Sequence, residues 1–228
     1  MSLKQQFHSE WNKLKPMSFS QKASYIWDYY KLHIFMLILI VIIGSSMVSA
    51  LFINNKDTQL SIALINNRTP QDSYEYLETG FWEYLGSQED GQISVDTSMH
   101  ISLDGTQAQL SYASTAKIAA RLSAGDLDVI IADPAIIDHY GFLGAFADLK
   151  TILPQKLYEQ LDAELYQITP EDGEAYYGGL SLDHTDFAEK TGTNIEQPVL
   201  AIISNTTHTD ESLALIQYLF HIPAETQD

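Results

Sequence analysis

Short hydrogen-bonding side chains follow four predicted strands in this 228-residue chain. Side chains of this kind hold and orient small polar ligands. The candidate ligand-binding residues are Asn66, Asn67, Arg68 and Thr69 after the first strand, Thr97 and Ser98 after the second, Asp133 after the third, and Ser204, Asn205 and Thr206 after the last. The same residue types are common in turns and at helix caps, so capping is an alternative explanation for Thr69, Ser98 and Asp133.

Catalytic and metal-binding motifs are missing from the sequence. The seven histidines are scattered, and neither H-E-x-x-H, nor G-x-S-x-G, nor a P-loop occurs. The acidic segments 171–174 and 183–186 do not match the spaced oxygen ligands of a calcium loop. Because the chain contains no cysteine, disulfides, thiolate metal sites and cysteine nucleophiles are excluded. We therefore expect a protein that is not an enzyme and has neither a cofactor nor a metal site.

Alternating strands and helices would position the candidate residues. Apolar, β-branched runs predict buried strands at 59–66, 93–96, 128–132 and 198–204, and a further strand near 177–182. Helical periodicity and capping residues predict helices at 70–86, 110–122, 154–163 and 209–220, and a short helix after residue 133. This order predicts an α/β fold with three layers and a mostly parallel sheet. In such a sheet, ligands bind beyond the carboxyl ends of the strands, where the candidate residues lie.

An uncharged apolar run at 34–53 precedes these elements. Its length suffices for a helix to cross the hydrocarbon core of a bilayer, which is roughly 30 Å thick. Residues 1–33 carry five lysines and two carboxylates, whereas residues 54–228 carry 7 basic and 28 acidic residues. Short lysine-bearing flanks stay cytoplasmic. We therefore predict a cytoplasmic segment 1–33, a transmembrane helix 34–53 and an extracellular domain 54–228, in a single-pass protein of the cell membrane.

A cleaved signal peptide is the competing interpretation of this segment. Val48, Ser49 and Ala50 place small residues at the spacing that signal peptidase requires, after an apolar stretch of suitable length. However, the preceding region is long for a secretory signal, and the apolar run continues to residue 53. These two observations favour an anchor that stays in the lipid bilayer.

Small residues in the outer half of the predicted span form a candidate partner-binding face. Gly44, Ser45 and Ser49 lie there, and the two serines stand four positions apart, on one side of a helix. Small residues at this spacing let a second helix approach closely, which predicts a membrane protein as partner. The alternative is that small residues are simply common in transmembrane helices.

The strongly acidic composition excludes one class of partner. The formal net charge of the chain is −18 at pH 7. Nucleic acid binding requires a basic stripe, and the outer domain has none. Cationic peptides and neutral ligands remain compatible with this charge, as does a role of the charge in keeping a surface protein soluble.

Several segments of the outer domain resemble a known family. The segment S-A-G-D-L-D-V-I-I-A-D-P at 123–134 resembles the small-G-D-hydrophobic-D-V-hydrophobic segment of extracellular solute-binding proteins with the type 2 periplasmic-binding fold. The segment L-G-A-F-A-D-L at 143–149 resembles the G-x-F-x-D-L turn of that family, and 198–205 with 209–220 is similar to its late strand and helix. Before the span, Y-I-W-D-Y-Y-K at 25–31 resembles a signature of single-span membrane proteins from Gram-positive bacteria.

This resemblance implies a fold and two possible functions. Solute-binding proteins of this kind have two lobes, whereas the outer domain has only 175 residues, so the resemblance implies a second lobe that is reduced or absent. A reduced lobe encloses a ligand poorly, which favours an accessory or partner-binding protein of a membrane transporter or sensor. The alternative is a direct binder of a small polar ligand or peptide for uptake.

Overall fold

The computed structural model describes most of residues 57–223 and part of the segment before them. The described residues are 18, 21, 27, 31–32, 35–36, 38–42, 44–45, 57–70, 74–86 and 91–223. Backbone contacts divide the chain into two units, Met1–Asn55 and Lys56–Asp228. The elements below belong to the second unit.

Six strands and seven α-helices are described in the second unit. The strands are β1 (Asp57–Leu64), β2 (Gly91–Asp96), β3 (Val129–Ala132), β4 (Leu165–Ile168), β5 (Tyr176–Ser181) and β6 (Val199–Ile202). The helices are α1 (Phe81–Tyr84), α2 (Ala108–Ala124), α3 (Pro134–Phe142), α4 (Leu149–Ile152), α5 (Gln155–Gln160), α6 (Phe187–Thr191) and α7 (Thr209–Leu219). A π-helical segment, Tyr76–Gly80, leads into α1, and a short 3-10 helix, Asp162–Glu164, follows α5.

The α/β class of the fold is confirmed. The sheet itself is mixed, which corrects the prediction of a mostly parallel sheet. The strand order is β2-β1-β3-β6-β5-β4. β1 pairs in parallel with β2 and β3, but β6 is antiparallel to β3 and β5, and β4 is antiparallel to β5. Only seven residues join β4 to β5, too few for the crossover that a parallel pair needs. β4 itself was not predicted from the sequence.

Apolar side chains alternate between the two faces of the sheet. In β1, Leu60, Ile62 and Leu64 join a core cluster with helix α7, whereas Ala63 joins a second cluster with α2 and α3. β3 and β6 divide their side chains in the same way. Because both faces are covered by helices, the central strands read as continuous apolar runs, which is why the sequence located them well.

The structure describes part of the predicted transmembrane segment 34–53. Residues 35–36, 38–42 and 44–45 are helical, and the hydroxyl of Ser45 donates to the carbonyl oxygen of Ile42 at 2.9 Å. Gly44 is also described and exposed, whereas Ser49 lies outside the described residues. Among the described residues, no helix is both long enough and apolar enough to cross a membrane.

Candidate ligand-binding cleft

A cleft of about 790 Å³ lies at the carboxyl ends of the parallel strands. Three of the predicted site residues, Asn66, Arg68 and Asp133, line it together. The other lining residues come from the connection after β2, the first turn of α3 and the loop before β6. The volume is within the range of small-molecule sites, which is about 300–1,000 Å³.

Asn66 links the connections that follow β1, β2 and β3. Its side-chain oxygen accepts a hydrogen bond from the backbone N–H of Ile101 at 2.8 Å, and its Nδ2 donates to the Ile101 carbonyl at 2.9 Å. Nδ2 also lies 3.4 Å from Oδ2 of Asp133. Asn66 adopts a left-handed φ of 64°, a conformation in which asparagine is tolerated better than most residues. The residue therefore holds one wall of the cleft in place.

Arg68 has a fixed backbone and a side chain that is available to a ligand. Its N–H donates to Oδ1 of Asn194 at 2.6 Å, which connects the end of β1 to the loop before β6. No described residue forms a hydrogen bond or ion pair with its guanidinium. A guanidinium presents several donors in a planar fork, a geometry suited to a carboxylate or another oxygen-rich group.

Asp133 has both a structural and a possible ligand-binding role. It is the N-cap of α3, where its Oδ1 accepts from the backbone N–H of Ile136 at 3.1 Å. Its other oxygen faces Asn66. The sequence-based capping explanation for Asp133 is thus correct for one oxygen, while the side chain also lines the cleft.

Unusual backbone conformations are concentrated around the cleft. Four described residues other than glycine have a positive φ, and three of them, Asn66, Gln107 and Gln197, line this cavity. Glutamine gains no local stabilisation from the left-handed region, so its φ of 53° at Gln107 and 49° at Gln197 is unfavourable. Residues in such conformations cluster at ligand-binding sites, where surrounding structure maintains them.

Carboxylates add negative charge to the cleft. Asp104 accepts hydrogen bonds from the Ser102 hydroxyl and from the backbone and hydroxyl of Thr106, and these donors lower its pKa to about 2. Glu196 also lines the cavity, and no described residue pairs with its carboxylate. The cleft therefore presents carboxylates, amides and hydroxyls around the guanidinium of Arg68, which has no partner among the described residues.

Asn67 and Thr69, although predicted as site residues, belong to a buried network. Asn67 is 2 % exposed, and its Nδ2 donates to the Tyr74 hydroxyl at 2.6 Å. Its Oδ1 accepts from the Thr69 hydroxyl at 2.9 Å and from the Thr193 hydroxyl at 3.3 Å. These contacts fasten the loop after β1 to the core and do not line the cleft.

Thr97 and Ser98 follow β2 at the same edge but are not among the lining residues. The Ser98 hydroxyl donates to Oδ1 of Asp96 at 2.8 Å and accepts from Nζ of Lys117 at 2.8 Å. Lys117 also forms an ion pair with Asp96 at 2.6 Å. Ser98 therefore joins the end of β2 to helix α2, although it caps no helix, since the N-cap of α2 is Gln107.

Ser204, Asn205 and Thr206 lie at the opposite edge of the sheet. The prediction placed them beside the other candidates because it treated β6 as a parallel strand, and β6 is antiparallel to β3. The Thr206 hydroxyl donates to Oδ1 of Asp128, and Asn205 donates to the Leu122 carbonyl at 2.9 Å. The structure therefore does not bring these three residues to the cleft.

A second, smaller cavity of about 340 Å³ lies at that opposite edge. Asp128, 1 % exposed, accepts from the N–H of Ser61 at 2.8 Å, and Nδ1 of His208 lies 3.1 Å from its Oδ1. Arg121 donates to the Ser61 hydroxyl, to the Asp126 carbonyl and to Asp96. The side chains of Arg121, Asp128 and His208 already have partners within the protein, so this edge is a structural polar network.

The sequence reasoning missed the part of the cleft that precedes β6. Asn194, Glu196 and Gln197 lie there, because an antiparallel strand begins at the edge where parallel strands end. Their polar composition was visible in the sequence, but the direction of β6 was not. It also missed the polar residues after Thr97 and Ser98 in the β2–α2 connection, among them Asp104 and Gln107.

Comparison of this chain with family models, with curated proteins and with solved structures finds no match.

Proposed function

We propose that this chain is a membrane-anchored extracellular module whose cleft binds a small polar ligand. The observation that carries the proposal is the 790 Å³ cavity in which Asn66, Arg68 and Asp133 meet at the carboxyl ends of β1 and β3. The guanidinium of Arg68 would supply a charged contact, and the neighbouring amides would supply orienting hydrogen bonds. The left-handed residues around the cavity support a binding role for the same place.

A ligand that binds only the folded protein raises its melting temperature, so thermal unfolding tests the proposal. The full chain in detergent would be heated with a panel of free amino acids, dipeptides and monosaccharides. A ligand at a hundred times its Kd stabilises the protein by about 2.7 kcal/mol, which corresponds to a Tm increase of roughly 5–10 °C for a domain of this size. We expect at least one class of compound to give such an increase.

Two matched variants locate the effect. Arg68→Ala removes the guanidinium of the cleft, and Lys150→Ala removes an exposed cation on α4 outside the cleft. We expect Arg68→Ala to abolish the ligand-dependent increase and Lys150→Ala to leave it unchanged. A panel without any active compound, or an increase that survives Arg68→Ala, would contradict binding in this cleft.

Membrane anchoring is a separate part of the proposal. The apolar run 34–53 and the lysines before it support a single span with the N-terminus in the cytoplasm and residues 54–228 outside. Protease added to intact cells should then digest the outer domain while the protein remains in the membrane fraction. An outer domain that resists the protease, or a mature protein in the medium that begins at Leu51, would contradict the anchor.

An accessory role beside a transporter or sensor is the second candidate function. The ring of Tyr84, which is 39 % exposed, packs beside Tyr218 of α7 outside the lining of the cleft and supports a contact with a partner. Gly44, Ser45 and Ser49 would supply the helix-packing face within the membrane. Replacing Ser45 and Ser49 by leucine should then abolish detergent-stable co-purification with that membrane protein, and unchanged co-purification would contradict the role of these serines.

A further inference from the structure

Four aromatic rings meet where the helical segment after β1 contacts α7, and together they form the aromatic cluster. The Tyr218 ring of α7 lies 4.9 Å from Tyr76, 5.5 Å from Phe81 and 5.3 Å from Tyr84, measured between ring centroids. Phe81 stacks on Tyr84 with centroids 6.2 Å apart. Phe81 is buried, whereas Tyr84 is 39 % exposed, so the aromatic cluster ends in an accessible ring.

Hydrogen bonds hold Tyr76 and Tyr218 of the cluster in place, and Tyr84 packs against the Tyr218 ring. The Tyr218 hydroxyl donates to the Tyr76 carbonyl at 3.0 Å, and the Tyr76 hydroxyl donates to Oδ1 of Asp186 at 3.1 Å. Burial and the nearby Asp186 charge raise the pKa of Tyr76, so its hydroxyl remains a neutral donor. A fixed ring loses little conformational freedom on binding, which favours its use as a contact.

The charge around the aromatic cluster is negative. Glu83 and Asp186 carry the negative charge that acts on the cluster: burial, and then the charges of Asp186 and Glu83, raise the pKa of the Tyr218 hydroxyl. The described segment 74–86 and helix α7 contain no lysine or arginine. Asp186 adds a carboxylate that touches the cluster, with Nε2 of His221 at 3.3 Å from its Oδ2. Helix α6, which follows Asp186 in the described part of the chain, contributes a basic residue, Lys190.

We propose that the aromatic cluster is a docking surface for a lysine- or arginine-bearing segment of a partner protein. A guanidinium or ammonium is attracted to the face of an aromatic ring and gains further from nearby carboxylates. Tyr84 would contact the cation, and Glu83, whose charge acts on the neighbouring Tyr218, would attract it. The same negative charge repels anionic lipid surfaces, which favours a protein partner. This inference goes beyond the cleft and does not depend on ligand binding there.

Calorimetry with defined peptides tests the proposal. The full chain would be placed in phosphatidylcholine nanodiscs and titrated with octa-arginine and octa-glutamate. We expect octa-arginine to bind and octa-glutamate not to bind. Tyr84→Leu should weaken octa-arginine binding about threefold, since an exposed cation–π contact contributes about 0.5–1 kcal/mol, and Tyr84→Phe should bind as the wild type does because it keeps the ring. Equal binding by Tyr84→Leu and wild type would overturn the proposal.

Matched control variants distinguish binding of octa-arginine to the aromatic cluster from attraction by the overall negative charge of the domain. Tyr177 of β5 is also 39 % exposed, so Tyr177→Leu should leave binding unchanged. Glu83→Gln and Asp172→Asn alter the net charge equally, and only the former should weaken binding. Equal losses within either pair would overturn the proposal, as would Tyr84-dependent binding of phosphatidylglycerol vesicles. Arg68→Ala should leave octa-arginine binding intact, so failure of this proposal is distinguishable from failure of the cleft proposal.

Discussion

Two aspartates flank strand β3, and their surroundings differ. Asp128 precedes the strand and is 1 % exposed, and both of its carboxylate oxygens accept hydrogen bonds from within the protein. Asp133 follows the strand, caps α3 with one oxygen and turns the other toward the cleft. Only the four residues of β3 therefore separate a carboxylate whose oxygens are both bonded within the protein from one that borders a cavity.

The contrast extends to the two edges of the sheet. At the amino ends of the parallel strands, Asp128, Arg121 and His208 find partners among themselves and their neighbours. At the carboxyl ends, Arg68 and Glu196 line a cavity, and their charged side-chain groups have no partner among the described residues. Buried polar groups must be satisfied internally because water cannot reach them, whereas open ones can be satisfied by a ligand. The difference in partners, more than the residue types, distinguishes structural from candidate binding residues.

The largest expected effect is at Asp128. Asp128→Ala would leave the Ser61 N–H and the Thr206 hydroxyl without an acceptor in a buried region. We expect the free energy of unfolding to fall by about 3 kcal/mol, as is typical when one partner of a buried charged network is removed. Urea unfolding of the full chain, followed by near-UV circular dichroism, measures it.

The matched control for Asp128→Ala is the variant Asp128→Asn. Asp128→Asn keeps one acceptor oxygen and should recover part of the lost stability. A loss of less than about 1 kcal/mol in Asp128→Ala would show that the network is not what holds this edge together.

A second prediction concerns Thr206, which the sequence suggested as a ligand-binding residue. Thr206→Val preserves shape but removes the hydroxyl that donates to Asp128. We expect a loss of about 2 kcal/mol, since hydrogen bonds to charged groups contribute about 1.5–3 kcal/mol. Thr206→Ser, which keeps the hydroxyl, should lose much less. Urea unfolding that ranks the two variants equally would contradict this structural role.

The third prediction concerns Asp133, at the carboxyl ends of the parallel strands. Asp133→Ala removes the N-cap of α3, and losing a cap costs about 1 kcal/mol. The loss should therefore be roughly a third of that in Asp128→Ala under the same conditions, although both variants remove an aspartate next to β3. Asp133→Ser retains a capping oxygen and should be close to wild type in urea unfolding. Equal losses for the two alanine variants would remove the distinction between the edges.

Local patterns identified much of the fold. The apolar runs that predicted β1, β3 and β6 are buried on both faces, and Gly125 ends α2 with the left-handed conformation expected of a helix C-cap. The direction of β6 was beyond local patterns, because an isolated apolar run reads the same in either orientation. β4 was missed because two of its four residues are only half-buried and a third is exposed.

Residues of the cleft could be predicted from the sequence only where the direction of the preceding strand was predicted correctly. Asn66, Arg68 and Asp133 follow parallel strands and meet as expected, while Ser204–Thr206 follow an antiparallel strand and lie at the other edge. Sequence also gave no means to distinguish Asn67, which points into the core, from its neighbour Asn66. That distinction depends on Tyr74 and Thr193, which are brought together only by folding.

The smallest expected effect concerns the titration of Asp104, which lines the cleft. Asp104 is solvent-exposed, and donors from Ser102 and Thr106 lower its pKa from 3.8 to about 2. Because the pKa is lower in the folded state than in the unfolded state, the stabilisation is complete above the ordinary pKa and is lost as the pH falls toward 2. Carboxyl carbon NMR should follow this titration, and Ser102→Ala should shift the midpoint toward 3.8 without unfolding the protein. A titration midpoint near 3.8 in the wild type would mean that Ser102 and Thr106 do not hold the Asp104 carboxylate. The cleft would then lack a fixed carboxylate at this position, and its contrast with the hydrogen-bonded network around Asp128 would be weaker.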